Sequence, residues 1–295
     1  MKNGVWIYMG ILLAIVFWGM SFVWVDQMLG AGFPSYCLLT ARLAISAIVL
    51  LLVSLGFGKL QRPKLADLKW IILMALFEPF LYFIGETKGI QLTTPTTASV
   101  IISTIPLFAM LLGFLVYKER MSKLNVFGAV LAVAGVLLSV LNEEMSIKVD
   151  ALGVLMLFFA VLSTIGYSLV VKKLAAKYNV FTIVVFQNVL GTLLFFPFTF
   201  SEYEVLHQFV FSFESIYPIL LLALFPSTLS FIFYVNCIHH IGVVRANMFS
   251  TLMPVVTLLF SSALGRELLT SRNGTGVVIV IAGLLLTQAK KRRNG

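Results

Sequence analysis

Apolar residues along the chain gather into ten runs of about 20 residues, each ended by charged residues or by proline and glycine. A helix of about 20 apolar residues crosses a hydrocarbon core of roughly 30 Å. The pattern therefore predicts an all-α integral membrane protein of ten transmembrane helices. Hydropathy and the charged or Pro/Gly breaks place the spans at Trp6 to Val25, Tyr36 to Leu55, Lys69 to Lys88, Pro95 to Tyr117 and Leu124 to Leu141. The remaining five are Leu152 to Val171, Phe181 to Phe200, Ile216 to Asn236, Val243 to Leu264 and Gly274 to Ala289. The first run is too long for a signal-peptide core and has no small-residue cleavage pattern behind it, so it is expected to be retained.

Composition removes the alternatives. Of 295 residues, 60% are hydrophobic and only 11% charged, with a mean hydropathy of +1.03. A soluble domain is roughly a quarter charged, which excludes a soluble enzyme. The longest loops, around Gly56 to Asp67 and Ser201 to Ser215, are too short for the output domain of a receptor or signalling subunit. No HExxH, no GxSxG, no P-loop at a membrane-accessible position and no aspartyl-type dyad supports an intramembrane enzyme. Cys37 and Cys237 sit in no CxxC or Cys/His cluster, so neither metal nor redox cofactor is expected.

Charge orders the spans. Short loops rich in Lys and Arg stay cytoplasmic, and Lys59, Arg62, Lys64 and Lys69, then Lys118, Arg120 and Lys123, then Lys172, Lys173 and Lys177 all fall on one face. The tail Lys290, Lys291, Arg292, Arg293 falls there too. The other face carries Asp26, Glu143, Glu144, Glu202, Glu204 and Glu214, against the basic residues Lys88, Lys148, Arg266 and Arg272. Both termini are thus expected in the cytoplasm of a cell inner (plasma) membrane. The net charge of +9 reads as a topology signal and a contact with anionic lipid, with no nucleic-acid partner.

The chain also repeats itself. Ala98, Pro106, Glu119, Gly128 and Ala134-Gly135 recur, each 148 positions later, as Ala246, Pro254, Glu267, Gly276 and Ala282-Gly283, with Lys118 meeting Arg266. The same register sets Pro79 near Pro226, Tyr82 on Ser230 and Glu86 on Tyr234. Two five-helix halves follow, 1–144 and 145–295. Five is odd, so the second half enters the membrane from the opposite side, as in the inverted repeats of many secondary transporters, whose substrate site lies near the midplane between the halves.

Trp18-Gly19-Met20-Ser21-Phe22, Arg42, and the pattern Ala98, Pro106, Lys118-Glu119 repeated as Ala246, Pro254, Arg266-Glu267 resemble the EamA family of the drug/metabolite transporter superfamily. The resemblance covers essentially the whole chain and implies a ten-helix exporter of small metabolites, often amino acids or their derivatives. It also implies a central cavity lined by the first, third, fourth, sixth, eighth and ninth helices. The second half departs from it, with Ser163, Thr164, Gly166 and Tyr167 where the first has Trp-Gly.

Ionisable groups at membrane depth are by default functional or paired. Glu78, Tyr82 and Glu86 recur every four residues, which on an α-helix keeps them on one face within about 80°; they are expected to line the cavity and meet a substrate ammonium group or exchange protons. Arg42 could bind a substrate carboxylate; the expected reading is a structural ion pair with Asp26 or Glu86, because an unpaired buried charge is destabilising. Ser99, Ser103 and Pro106 on the fourth helix, with Asn247, Thr251 and Pro254 on the ninth, are expected to form a polar wall at a proline-broken midplane. Trp18, Ser21, Phe22, Tyr167, Ser230 and Tyr234 complete the candidate substrate-binding set, with aromatic faces for an apolar part. Glu119 and Glu267 are expected to serve the N-terminus of the helix that follows each. Gly128 and Gly135, like Gly276 and Gly283, flatten one helix face each, for packing within a half or for a homodimer.

The function so read is a secondary transporter without bound cofactor, exporting amino acids, related zwitterions or drugs by alternating access; an uncoupled facilitator uses the same parts. Reporter fusions after Glu144 and after Lys177 should report opposite sides of the membrane, and a common side would overturn the inversion.

Overall fold

The computed structural model describes residues 2–117, 122–140, 150–268 and 270–288, with side chains except at 2–4, 112–117, 139–140, 215 and 287–288. Lys118, Glu119, Arg120, Glu143, Glu144, Lys148 and the tail Lys290 to Arg293 lie outside the described residues. Those that are described form helices and connections only, with no strand among them. Seven helical segments are long and apolar enough to cross a membrane, and three shorter apolar helices, 95–111, 123–138 and 271–286, accompany them.

In chain order the helices are α1 (Lys2–Gly30), α2 (Ser35–Gly56), α3 (Leu68–Ala75), α4 (Tyr82–Leu92), α5 (Pro95–Ile102), α6 (Ile105–Tyr117), α7 (Lys123–Val140) and α8 (Ala151–Ala175). They continue as α9 (Val180–Thr199), α10 (Tyr203–Gln208), α11 (Phe213–Leu224), α12 (Phe231–Ile241), α13 (Val243–Met248), α14 (Met253–Ala263) and α15 (Ser271–Gln288). Several caps follow local sequence. The side chains of Thr94, Asp150 and Asn179 accept from backbone N–H groups in the first turns of α5, α8 and α9, the standard use of short polar residues at a helix start.

Four predicted spans are internally broken. Between α3 and α4 the backbone passes through a π-helical stretch, Leu76–Leu81, in which Glu78 is extended (φ −146°, ψ 121°). Between α11 and α12 lies a second one, Phe225–Ser230. Each holds a proline, Pro79 and Pro226, whose missing N–H interrupts the α ladder. The fourth predicted span parts at Ser103 and Thr104, and Pro106 stands in the first turn of α6, where its lack of an N–H is harmless. The ninth passes through a 3-10 stretch, Phe249–Leu252, with Pro254 at the start of α14. The expected breaks near Pro106 and Pro254 are present; those at Pro79 and Pro226 were not anticipated.

Helix pairing is led by α7 with α15, α2 with α9 and α4 with α8. At the first pair the glycine faces are used within one chain. A Cβ added at Gly135 would lie 2.6 Å from Val280 Cγ2 and 2.7 Å from Val280 N, and one at Gly283 would strike the backbone of Ala132. Small residues bring these two backbones together, so the glycine faces pack between the two halves of one molecule and not within a half as expected.

Gly135→Ala should therefore destabilise the purified protein by about 1–3 kcal/mol through overpacking, measured as a lowered unfolding midpoint in detergent. Gly274→Ala, whose added Cβ meets nothing within 4 Å, should leave the midpoint unchanged or slightly raised.

Candidate functional site

The breaks gather polar side chains around one buried region. At the second π-helical stretch the Ser227 carbonyl accepts from Ser46 Oγ at 3.1 Å and from Asn188 Nδ2 at 3.0 Å. Asn188 Nδ2 also donates to Ser46 Oγ at 2.6 Å, and Ser46 Oγ lies 2.6 Å from Thr228 Oγ1. At the first stretch the Phe77 carbonyl accepts from Ser163 Oγ at 2.6 Å. Both carbonyls fall at helix breaks, and in hydrocarbon each needs a protein partner. Ser46, Ser163 and Asn188 fill that role.

Beside these breaks lies a narrow cavity, partly open to the outside, in which a water-sized sphere has about 40 Å³ of free space. Ile15, Trp18 and Ser21 of α1 form one side, and Glu78 with Tyr82, Phe83 and Glu86 of α4 another. Arg42 enters from α2, Thr164 from α8 and Tyr234 from α12, while Ile102 and Ile105 meet Ala246, Asn247, Ser250 and Met253 from the other broken span. The wall is mostly apolar with a few convergent polar groups, the usual make-up of a small-molecule site.

Those polar groups are only partly satisfied. Tyr82 OH donates to Glu86 Oε1 at 3.0 Å, leaving Glu86 Oε2 without a partner, and Glu78 Oε2 is likewise unpartnered. Tyr234 OH donates to Asn247 Oδ1 and lies 3.1 Å from Ser168 Oγ; Asn247 Nδ2 and Thr164 Oγ1 have no partner. Glu78 is 6% exposed and Glu86 4%. Buried polar atoms are rarely left unpaired, so a cluster of them on one cavity wall is ready to receive a polar ligand or water. Trp18 makes T-shaped contacts with Phe231 and Tyr234 at 5.4 and 5.2 Å between centroids. Among the described residues no three His, Cys, Asp or Glu gather as a metal site.

Of the residues singled out in the sequence, Trp18, Ser21, Arg42, Glu78, Tyr82, Glu86, Tyr234 and Asn247 line this cavity. The others are placed elsewhere. Ser99, Ser103 and Thr251 turn their hydroxyls onto carbonyls three residues back, those of Thr96, Val100 and Met248. Ser230 donates to the Ala14 carbonyl at 3.2 Å, Tyr167 OH to Gln187 Oε1 at 2.7 Å, and Phe22 is packed in the core. Pro106 and Pro254 start helices beside the cavity without lining it. The expected wall from Ser103 to Thr251 thus gives way to Ile102, Ile105 and Ser250. Ser250 lies in the 3-10 stretch and Ile102 and Ile105 flank the break at Ser103 and Thr104, so residue facing is set by a geometry that α spacing does not reproduce. Thr164, Phe83 and Ser250 were not singled out as binding residues; their position follows from those breaks.

Two ionic expectations are corrected. Asp26 does not pair with Arg42: its Oδ2 accepts from Arg266 Nη2 at 2.8 Å and Nε at 3.1 Å. Arg42 instead donates from Nε to Ser227 Oγ at 2.9 Å, and its guanidinium carbon lies 4.3 Å from the Phe83 ring centroid. Glu267 does not serve the helix that follows it. Its Oε1 accepts from Thr96 N in the first turn of α5, the same dipole chemistry directed across the molecule. Glu202, read in the sequence only as an outer-face acid, holds the start of α2 by accepting from Ser35 Oγ, Tyr36 N and Cys37 N.

The fold describes a multi-pass membrane protein with a cavity between its helices. The profile of the EamA-like transporter family matches residues 5–141 and 151–288, and the chain belongs to that family. It is 24% identical over 302 residues to the uncharacterized transporter YetK of Bacillus subtilis (strain 168), covering 99% of this chain and 89% of the relative. It is 26% identical over 279 residues to an uncharacterized transporter of Archaeoglobus fulgidus, covering 95% and 97%. A solved crystal structure superposes with a TM-score of 0.69 at 17% identity over 94% of each chain, a likeness of fold.

Asn188→Ala should remove one of the two donors to the Ser227 carbonyl together with the donor to Ser46 Oγ, and destabilise the protein by about 1–3 kcal/mol in detergent unfolding. Thr199→Ala, whose hydroxyl serves only the Phe196 carbonyl of its own helix, should change stability by less than about 0.5 kcal/mol.

Proposed function

We propose that this family member is a secondary transporter that exports small metabolites, amino acids or related zwitterions among them, by alternating access. The observation that carries the reading is the central cavity, walled by residues from both halves of the sequence and lined by buried carboxylate, guanidinium and amide groups with unfilled hydrogen-bonding positions. A transported molecule with complementary polar ends would fill them, and the aromatic and aliphatic wall would cover its apolar part.

In this proposal the seven long helical segments and the three shorter apolar helices make ten spans, arranged as inverted halves 1–144 and 145–295 with both termini in the cytoplasm. Three observations support it. The π-helical stretches Leu76–Leu81 and Phe225–Ser230 occupy corresponding places in the two halves. The breaks before Pro106 and Pro254 correspond in the same way. The family profile covers a segment on each side of residue 145. Broken helices facing a midplane cavity are where transporters of inverted-repeat design bind substrate, and rocking of one set of half-helices against the other would expose it to each side in turn.

Cells with and without the protein should differ in the release of small zwitterionic metabolites during a metabolite-sensitivity screen; identical profiles across the panel would remove the transport reading. At matched surface expression, Glu78→Gln should lower export at least about tenfold, the loss of a charged hydrogen-bonding partner in a buried site. Glu204→Gln, exposed on α10, should leave export unchanged.

A further inference from the structure

Arg42 is 1% exposed, yet no carboxylate lies within ion-pair distance of it among the described residues. Two contacts fix its head: Nε donates to Ser227 Oγ at 2.9 Å, and the guanidinium lies over the Phe83 ring. Ser227 is itself held in place, because its carbonyl accepts from Ser46 and Asn188. What remains is a rigidly placed side chain on the cavity wall with Nη1 unpartnered. A second donor stands idle on the same cavity. Asn247 is 3% exposed, its Oδ1 is occupied by Tyr234 OH, and its Nδ2 has no partner.

A buried guanidinium with a free N–H is strongly destabilising unless a carboxylate or comparable acceptor completes it, and its fork geometry suits a planar carboxylate. We propose that Arg42 is the specificity-determining residue that reads a carboxylate on the transported molecule, with Asn247 Nδ2 as the second donor. Glu78 and Glu86 then hold a cationic group at the molecule's other end through their free oxygens. Charge selects this class over other anions. A zwitterion adds no net charge to this low-dielectric site, whereas a phosphate would add two negative charges. The inference rests on the cavity being the substrate site, and it goes beyond that reading by assigning the discrimination to one side chain.

The test uses the purified full chain in detergent, titrated with L-leucine and with leucine methyl ester, which keeps the ammonium and the apolar chain but lacks the carboxylate. Binding is followed by calorimetry and by intrinsic tryptophan fluorescence, to which Trp18 on the cavity wall contributes. Wild-type protein should bind leucine at least about tenfold more tightly than the ester, the magnitude expected for a hydrogen bond to a charged group. Arg42→Gln should abolish that preference while ester affinity stays within about twofold, Arg42→Lys should restore part of it, and Asn247→Ala should reduce it. Equal affinity of wild-type protein for both probes, or an equal loss of both in Arg42→Gln, would overturn the assignment while leaving a substrate cavity in place. Binding of neither probe by wild-type protein would overturn the zwitterion reading of the cavity and this inference together. Should Arg42→Gln fail to fold, the wild-type preference and its reduction in Asn247→Ala decide the matter.

Discussion

Inside a bilayer a backbone carbonyl that leaves its helix ladder has no water to turn to, and this constraint organises the molecule. Prolines open the helices at two π-helical stretches, and the freed groups at Phe77 and Ser227 are met by side chains from α8, α2 and α9. Those partners lie far away in sequence, so each break ties together helices from distant parts of the chain. At the second break the tie does double duty, because Ser227 also orients Arg42 toward the cavity. The apolar wall, the broken helices and the charged lining are one arrangement seen at three levels.

Spans were legible because a bilayer demands length and apolarity together, and few residues are excused. Ser35–Gly56 and Val180–Thr199 fall within one residue of the predicted bounds at either end, while α1 overruns its prediction by about a turn at each end, where amphipathic residues near the interface satisfy both environments. The candidate site was legible in part. Glu78, Tyr82 and Glu86 announce themselves by charge and by a spacing of four, and they do share a cavity. The spacing succeeds for a reason it did not contain, since the backbone between Glu78 and Tyr82 is π-helical.

Elsewhere residue type was informative and register was not. Asn247 and Thr251 are four apart, as one helical face requires, yet the 3-10 stretch that carries Thr251 puts Ser250 on the cavity instead. Partner choice was the least legible feature. Asp26, Arg42 and Glu267 each have an obvious sequence-level role, but which group each meets depends on the three-dimensional packing of helices separated by well over a hundred residues. Charge neutrality narrows such choices without deciding them. The glycine stripes of α7 and α15 show the same gap in apolar form, since a flattened face is visible in sequence while the backbone it receives is not.

Glu202 lies beyond the end of α9 and grips the first turn of α2, while α2 and α9 also pack along each other. One carboxylate takes three donors at a single helix end. Sliding α2 along α9 by even one turn would strand a hydroxyl and two amide groups at once, so the two helices are bolted as well as packed. This pair carries Arg42 on one member and Asn188 on the other, so the two side chains that meet the break at Ser227 are held in one fixed frame.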